Sequence, residues 1–258
     1  MRKYFFFDID GTLLSPIDRN ALPSTIETIK ALRKNGHFVS LATGRAQRLV
    51  VEIASQLGIN NYVCDGGKGI VIDGKYVSYT KTDQEGMRGL VSYFKKKGMK
   101  YFVQISNDGV LYTYEELEPS LLQTIYPVFR SLDEVVLENE VIRSIYVLSH
   151  DNTDLDNAPR VEDIGYILFN YEEYNFAVFE PNVKHKGISK MIDIVGGNYN
   201  DVIVFGDGVN DIEMFKHSPF SIAMGNAVNE LKSIASYVTD ECDNDGIYKA
   251  CKHFNWIE

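Results

Sequence analysis

The feature that most restricts the fold of this chain is a run of short, mostly apolar segments that stop abruptly at polar residues. Tyr4-Phe5-Phe6-Phe7 stops at Asp8, Phe38-Val39-Ser40-Leu41-Ala42 at Thr43, Tyr62-Val63-Cys64 at Asp65, and Val202-Ile203-Val204-Phe205 at Gly206-Asp207; Ser221-Ile222-Ala223-Met224 is a fifth such run. A strand covered on one face alternates apolar with polar residues, whereas a strand covered on both faces reads as a continuous apolar run. Helical spacing separates these runs. Leu49, Val50, Ile53 and Leu57 fall on one helix face, with Gly58 where a C-terminal cap belongs. Ile26, Ile29 and Leu32 line another helix, with Pro23 near its start and Gly36 past its end. Strand and helix alternating in this way predict βαβ units and an α/β fold built on a parallel sheet, whose sites lie beyond the carboxyl ends of the strands.

The middle of the chain has a different texture. Tyr101 to Ser106 and Val110 to Tyr114 flank Asn107-Asp108-Gly109, a strong hairpin signal. Strands are expected over Ile142 to Leu148 and Asn175 to Phe179, and helices over Pro119 to Arg130 and Pro159 to Tyr166. Such a segment forms an antiparallel sheet with helices on one face. The organisation expected is therefore a discontinuous parallel-sheet core over residues 1–79 and 184–258, with an α+β domain, residues 80–183, inserted into it.

Net charge is −10 with a pI near 5.0, which argues against a nucleic-acid backbone or an anionic membrane as partner, since both call for a basic footprint. A small anionic ligand is compatible, because one metal ion or a few placed cations reverse the local field. The three cysteines, Cys64, Cys242 and Cys251, have no metal-ligand spacing and read as reduced thiols. The apolar stretch before Asp8 is too short for a signal-peptide core, and no run approaches the roughly 20 apolar residues of a membrane helix. The expectation is a soluble, cytoplasmic protein; its oligomeric state is not readable.

Four clusters sit where strands end or helices open. Asp8 and Asp10, two apart on an extended backbone, project together and repel, an arrangement tolerated where a cation sits between them or a reaction uses them. Thr43-Gly44-Arg45 offers a hydroxyl and a glycine amide at a helix start, a small anion cradle. Lys184-His185-Lys186-Gly187 opens a helix expected near residues 187–195, where lysine runs against the macrodipole. Gly206-Asp207-Gly208-Val209-Asn210-Asp211 carries two more acids at a strand end and helix start. Taken singly, each has a plainer reading as a turn, a cap or an exposed charge, and His185 reads as a packing or surface residue. Taken together, carboxylates for a hard cation with a hydroxyl, amides and a lysine for an anion make a magnesium-assisted phosphoryl-transfer site.

Asp8-x-Asp10-Gly11-Thr12-Leu13, Thr43-Gly44-Arg45, Lys186-Gly187 and Gly206-Asp207-Gly208-x-Asn210-Asp211 resemble the four motifs of the haloacid dehalogenase (HAD) superfamily. Their order, the insertion between the second and third, and the tail Met224-Gly225-Asn226-Ala227 resemble its Cof-type phosphatases across essentially the whole chain. The resemblance implies a Rossmann-like HAD core with an inserted α+β cap domain. It implies that Asp8 is the nucleophile, giving an aspartyl-phosphate, and that Asp10 is the acid and base. It further implies Mg2+ held by Asp8, the Asp10 carbonyl and Asp207, with Asp211 orienting waters on the metal. Thr43, Gly44, Lys186 and Asn210 would bind phosphoryl oxygens. One departure is Cys64-Asp65-Gly66-Gly67, where the family usually has Asn-Gly-Ala; Asp65 either caps the turn or meets substrate hydroxyls.

The function expected is a phosphatase of small phosphorylated metabolites, such as sugar phosphates or nucleotide or cofactor phosphates. A phosphomutase on hexose phosphates is the enzymatic alternative, and a non-catalytic domain that binds a phospho-ligand is the alternative of another class. The inserted domain is expected to set substrate choice, with Asp108, Tyr112 and Arg143 as unranked contacts.

Overall fold

The computed structural model describes residues 1–105, 110–113, 128–132, 134–149, 152–170 and 175–258. The chain divides into two compact units, Met1–Tyr79 with Val183–Glu258, and Thr80–Asn182.

The chain opens with β1 (Tyr4–Phe7), α1 (Pro23–Lys34), β2 (Phe38–Ala42), α2 (Gln47–Gln56), β3 (Tyr62–Cys64), β4 (Gly69–Ile72) and β5 (Lys75–Tyr79). The inserted unit follows as α3 (Gln84–Lys96), β6 (Lys100–Gln104), β7 (Val110–Thr113), β8 (Val128–Ser131), α4 (Glu134–Asn139), β9 (Ser144–Ser149), α5 (Asn152–Asp156), β10 (Ile164–Asn170) and β11 (Asn175–Pro181). The first unit resumes with α6 (Lys184–Val195), β12 (Val202–Gly206), α7 (Ile212–His217), β13 (Ser221–Ala223), α8 (Asn229–Ile234), β14 (Tyr237–Val238) and α9 (Gly246–His253).

In the first unit the sheet order is β14-β13-β12-β1-β2-β3-β4-β5. From β14 to β3 neighbours run parallel, and β4 and β5 extend the edge antiparallel. The apolar run of β1 is explained by cover on both faces. Phe5 and Phe7 pack with Ile29 and Leu32 of α1 and Ile247 of α9, while Tyr4 and Phe6 pack with Met191 and Ile192 of α6 and Phe215 of α7. Each of these phenylalanines contributes about 1.5–3 kcal/mol of burial, and Phe7 also stacks on Phe205 of β12 with ring centroids 4.7 Å apart.

The inserted unit is a second sheet, ordered β10-β11-β9-β6-β7-β8, antiparallel except where β7 and β8 run parallel. Period-two alternation splits its side chains. Tyr101, Val103, Ile145, Val147, Ala177 and Phe179 pack with Met87, Leu90 and Phe94 of α3, whereas Phe102, Tyr146, Phe176 and Val178 form a separate cluster.

The expected hairpin pairs as β6 with β7, through Val103 and Tyr112; its turn at Asn107-Asp108-Gly109 lies outside the described residues. Of the helix expected over Pro119 to Arg130, residues 119–127 lie outside them as well, and Arg130 belongs to β8. The helix expected over Pro159 to Tyr166 is not one. Ile164–Asn170 pairs along its whole length with β11, and seven rungs of a ladder outweigh a weak helical pattern.

Candidate active site

Register brings the polar residues together. Phe7 of β1 lies level with Leu41 of β2 on one side and Phe205 of β12 on the other. Asp8, Thr43 and Asp207 therefore leave three neighbouring strands within about one residue of each other, at their carboxyl ends. The Asp8 N–H donates to the Phe205 carbonyl at 3.0 Å.

At the centre is Lys184, 2% exposed, whose ammonium donates to Asp8 Oδ1 and to Asp211 Oδ1, both at 2.6 Å. The other oxygen of Asp211 accepts the backbone N–H groups of Asp207 and Gly208, each at 3.1 Å. Asp207 is gripped from both sides: Oδ1 accepts from the Thr12 hydroxyl at 3.0 Å, and Oδ2 from Asn226 Nδ2 at 3.4 Å. Asn226 also donates to the Gly11 carbonyl at 2.8 Å and accepts from the Cys242 N–H at 2.8 Å, tying three segments together. Gly11 has φ +76°, and a Cβ there would lie 2.1 Å from Asp207 Oδ2, so no other residue fits. Asp10 turns outward, its carboxylate accepting from Arg45 Nε at 2.8 Å and from Arg45 Nη2.

Carboxylate oxygens of Asp8, Asp207 and Asp211 lie within 4.8 Å of one another. Burial, then the charge of Asp211, raises Asp8 well above the usual carboxylate range, with Lys184 pulling against both. Burial and Asp211 likewise push Asp207 up to about 7. Burial pulls the Lys184 ammonium down, but Asp211 and Asp8 outweigh it and hold the group above its ordinary value. One ammonium offsets one of the three carboxylates, which leaves an excess of two negative charges in a buried site. Oxygen donors with that excess fit a hard divalent cation such as Mg2+. Asp8 and Asp207 are the better ligands, because the oxygens of Asp211 are already taken by Lys184 and two amides.

The lysine among the acids is Lys184, not the expected Lys186, which is exposed. Helix α6 begins at Lys184 rather than near residue 187, so Lys184 lies in its first turn. Two residues on, a side chain points about 200° round the axis. Thr43 is 2% exposed and its hydroxyl accepts the Arg45 N–H at 3.1 Å. Helix α2 starts only at Gln47, so Thr43 and Gly44 form a turn ahead of the helix and not its first residues. Asn210 is half-buried in a short 3-10 turn, Val209–Asp211. His185 packs as expected, its ring 4.2 Å from that of His217.

Asp65 lies in a second 3-10 turn, Asp65–Gly67, that links the loop after β2 to the start of α6. Its N–H donates to the Arg45 carbonyl at 2.9 Å, the Gly66 N–H to the Thr43 carbonyl at 3.1 Å, and the Val183 N–H to the Gly66 carbonyl at 2.8 Å. The Asp65 carboxylate accepts from the Cys64 thiol at 3.3 Å. Arg45, Asn226 and Thr12 join the site through contacts that no local sequence signal marks. Their partners lie 35 residues away for Arg45, and 195 or more for Asn226 to Gly11 and Thr12 to Asp207.

The chain matches the haloacid dehalogenase-like hydrolase family over residues 5–251 and belongs to it. It is 30% identical over 262 residues to YkrA of Bacillus subtilis (strain 168), a candidate phosphatase by name, covering 99% of each chain. Two solved structures share 26% identity with it. BT1666 from Bacteroides thetaiotaomicron, studied among phosphatases of this superfamily, matches 100% of this chain and 96% of its own with TM-score 0.85. The subclass IIB sugar phosphatase BT4131 matches 99% and 100% with TM-score 0.82. Within the family, the chain is a phosphatase.

Proposed function

We propose that the chain is a Mg2+-dependent phosphomonoester hydrolase of small phosphorylated metabolites, working through an aspartyl-phosphate. The observation that carries this reading is the buried trio Asp8, Lys184 and Asp211 with half-buried Asp207 beside it, at the carboxyl ends of β1 and β12 and the helix and turn that open there. Lys184 occupies one oxygen of Asp8 and so fixes which oxygen is left to attack phosphorus. As the new O–P bond forms, the bond to the leaving oxygen breaks, and Asp10 gives that oxygen a proton. Asp10 then takes a proton from the water that attacks the aspartyl-phosphate, which releases inorganic phosphate and restores Asp8. Asp8, the Asp10 carbonyl and Asp207 would hold Mg2+, with Asp211 orienting its waters. When bound, the ion neutralises phosphoryl charge. Thr43, the Gly44 amide, Asn210 and Lys184 would bind the phosphoryl oxygens, Lys184 taking the part first expected of Lys186.

A sugar phosphate is the favoured substrate class, supported by the likeness to a sugar phosphatase over the full length of both chains. The decisive variant is Asp8→Asn, nearly the same shape without the nucleophile. It should release no phosphate from any ester in a metabolite panel with Mg2+, while circular dichroism and melting temperature show an intact fold. Turnover by this variant would remove Asp8 from the chemistry.

A further inference from the structure

The Arg45 guanidinium lies against the side chain read above as acid and base. Nε and Nη2 meet the two oxygens of Asp10 separately, the planar two-point pairing that fixes the carboxylate plane as well as its position. The backbone carrying Arg45 is itself tied down, through its N–H to the Thr43 hydroxyl and its carbonyl to the Asp65 N–H. Asp10 needs such a hold. Its side chain is 56% exposed, and that of Arg45 is 25% exposed. An aspartate in that position has several rotamers open to it, and only those aimed at the leaving oxygen transfer a proton.

We propose that Arg45 is a positioning residue for proton transfer. It holds the Asp10 carboxyl in the plane the reaction uses. When a phosphoester arrives, one of the two N–H contacts yields to the leaving oxygen and the other keeps the orientation. The freed Asp10 oxygen takes up a proton from solvent and passes it to the leaving oxygen as its bond to phosphorus breaks, and Arg45 keeps all its own protons throughout. The inference rests on the reading of Asp10 as the acid.

The test compares p-nitrophenyl phosphate with phenyl phosphate, since nitrophenolate leaves without a proton and phenolate does not. The readout is the rate of release in the first turnover, before water attack contributes. Arg45→Ala should slow release of phenol about 100-fold and of nitrophenol less than about 5-fold. Arg45→Lys, with one contact at a time, should fall between, and inhibition by inorganic phosphate should stay within about twofold of wild type. Asp10→Asn serves as the reference and should show the same asymmetry more strongly. Equal losses on the two esters, or weakened phosphate inhibition, would overturn the inference, because Arg45 would then serve the phosphoryl group or the fold. An Asp10→Asn variant that slows both esters equally would overturn the acid reading instead, and this inference with it.

Discussion

Two lysines two residues apart, Lys184 and Lys186, differ in their surroundings. The Lys184 ammonium separates Asp8 from Asp211 inside the protein, and Lys186 is exposed. Removing one partner of a buried charge set leaves the others uncompensated, at a cost of about 3–5 kcal/mol. Lys184→Met is therefore expected to lower metal-free stability by that amount in urea denaturation and to abolish phosphate release. Lys186→Ala should shift stability by no more than about 0.5 kcal/mol and leave turnover close to wild type. If Lys186→Ala were the inactive variant, the assignment would be reversed. Nothing local distinguishes the two residues in sequence. A lysine beside a glycine looks like the better anion ligand, and only the point where α6 begins shows otherwise.

Among the elements, the turn Asp65–Gly67 does most to set that starting point. Gly67 has φ +111°, and a Cβ there would lie 2.1 Å from the Val183 carbonyl oxygen, directly ahead of Lys184. Gly67→Ala should cost about 1–3 kcal/mol through backbone strain alone and should lower kcat by displacing Lys184. An unaltered melting temperature and kcat would show that the turn does not position α6. Elements whose reasons are local were legible in the sequence: the apolar runs of β1, β2 and β12, and the helices α1 and α2, with Pro23 opening one and Gly58 following the other. Elements fixed by distant partners were not. Ile164–Asn170 becomes a strand because β11 lies beside it, and α6 starts early because Val183 bonds to Gly66. The acids of the site could be read because charge at the end of an apolar strand needs an explanation. Thr12 and Asn226 are ordinary polar residues until Asp207, 195 positions from one and 19 from the other, is placed between them.

At the scale of the whole molecule, the electrostatic excess of the site shapes stability. Asp207 ionises near 7 in the fold, above the ordinary 3.8, so its folded pKa is the raised one. Its contribution is full below about pH 4 and is lost as pH rises through about 7; three units correspond to about 4 kcal/mol. On the proposed reading, Mg2+ would take the place of the proton as counter-charge, and at low pH it would first have to displace that proton. The rise in melting temperature from EDTA to Mg2+ should thus be larger at pH 8 than at pH 5, and Asp207→Asn should flatten the difference. An equal rise at both pH values would contradict this account. The strand pairing of the site also bears on how the protein is made. β1 pairs with β12 some 198 positions later, Tyr4 level with Val202, and Asn226 reaches back 215 positions to Gly11. Contacts of such separation form slowly, and a chain emerging from the ribosome meets its early segments first. Asp8 must therefore wait through synthesis of the entire insertion before Lys184, Asp207 and Asp211 exist. During that interval the nascent chain holds an apolar strand with only one of its two neighbours, a window in which an unpaired edge is open to non-native association and the site is incomplete.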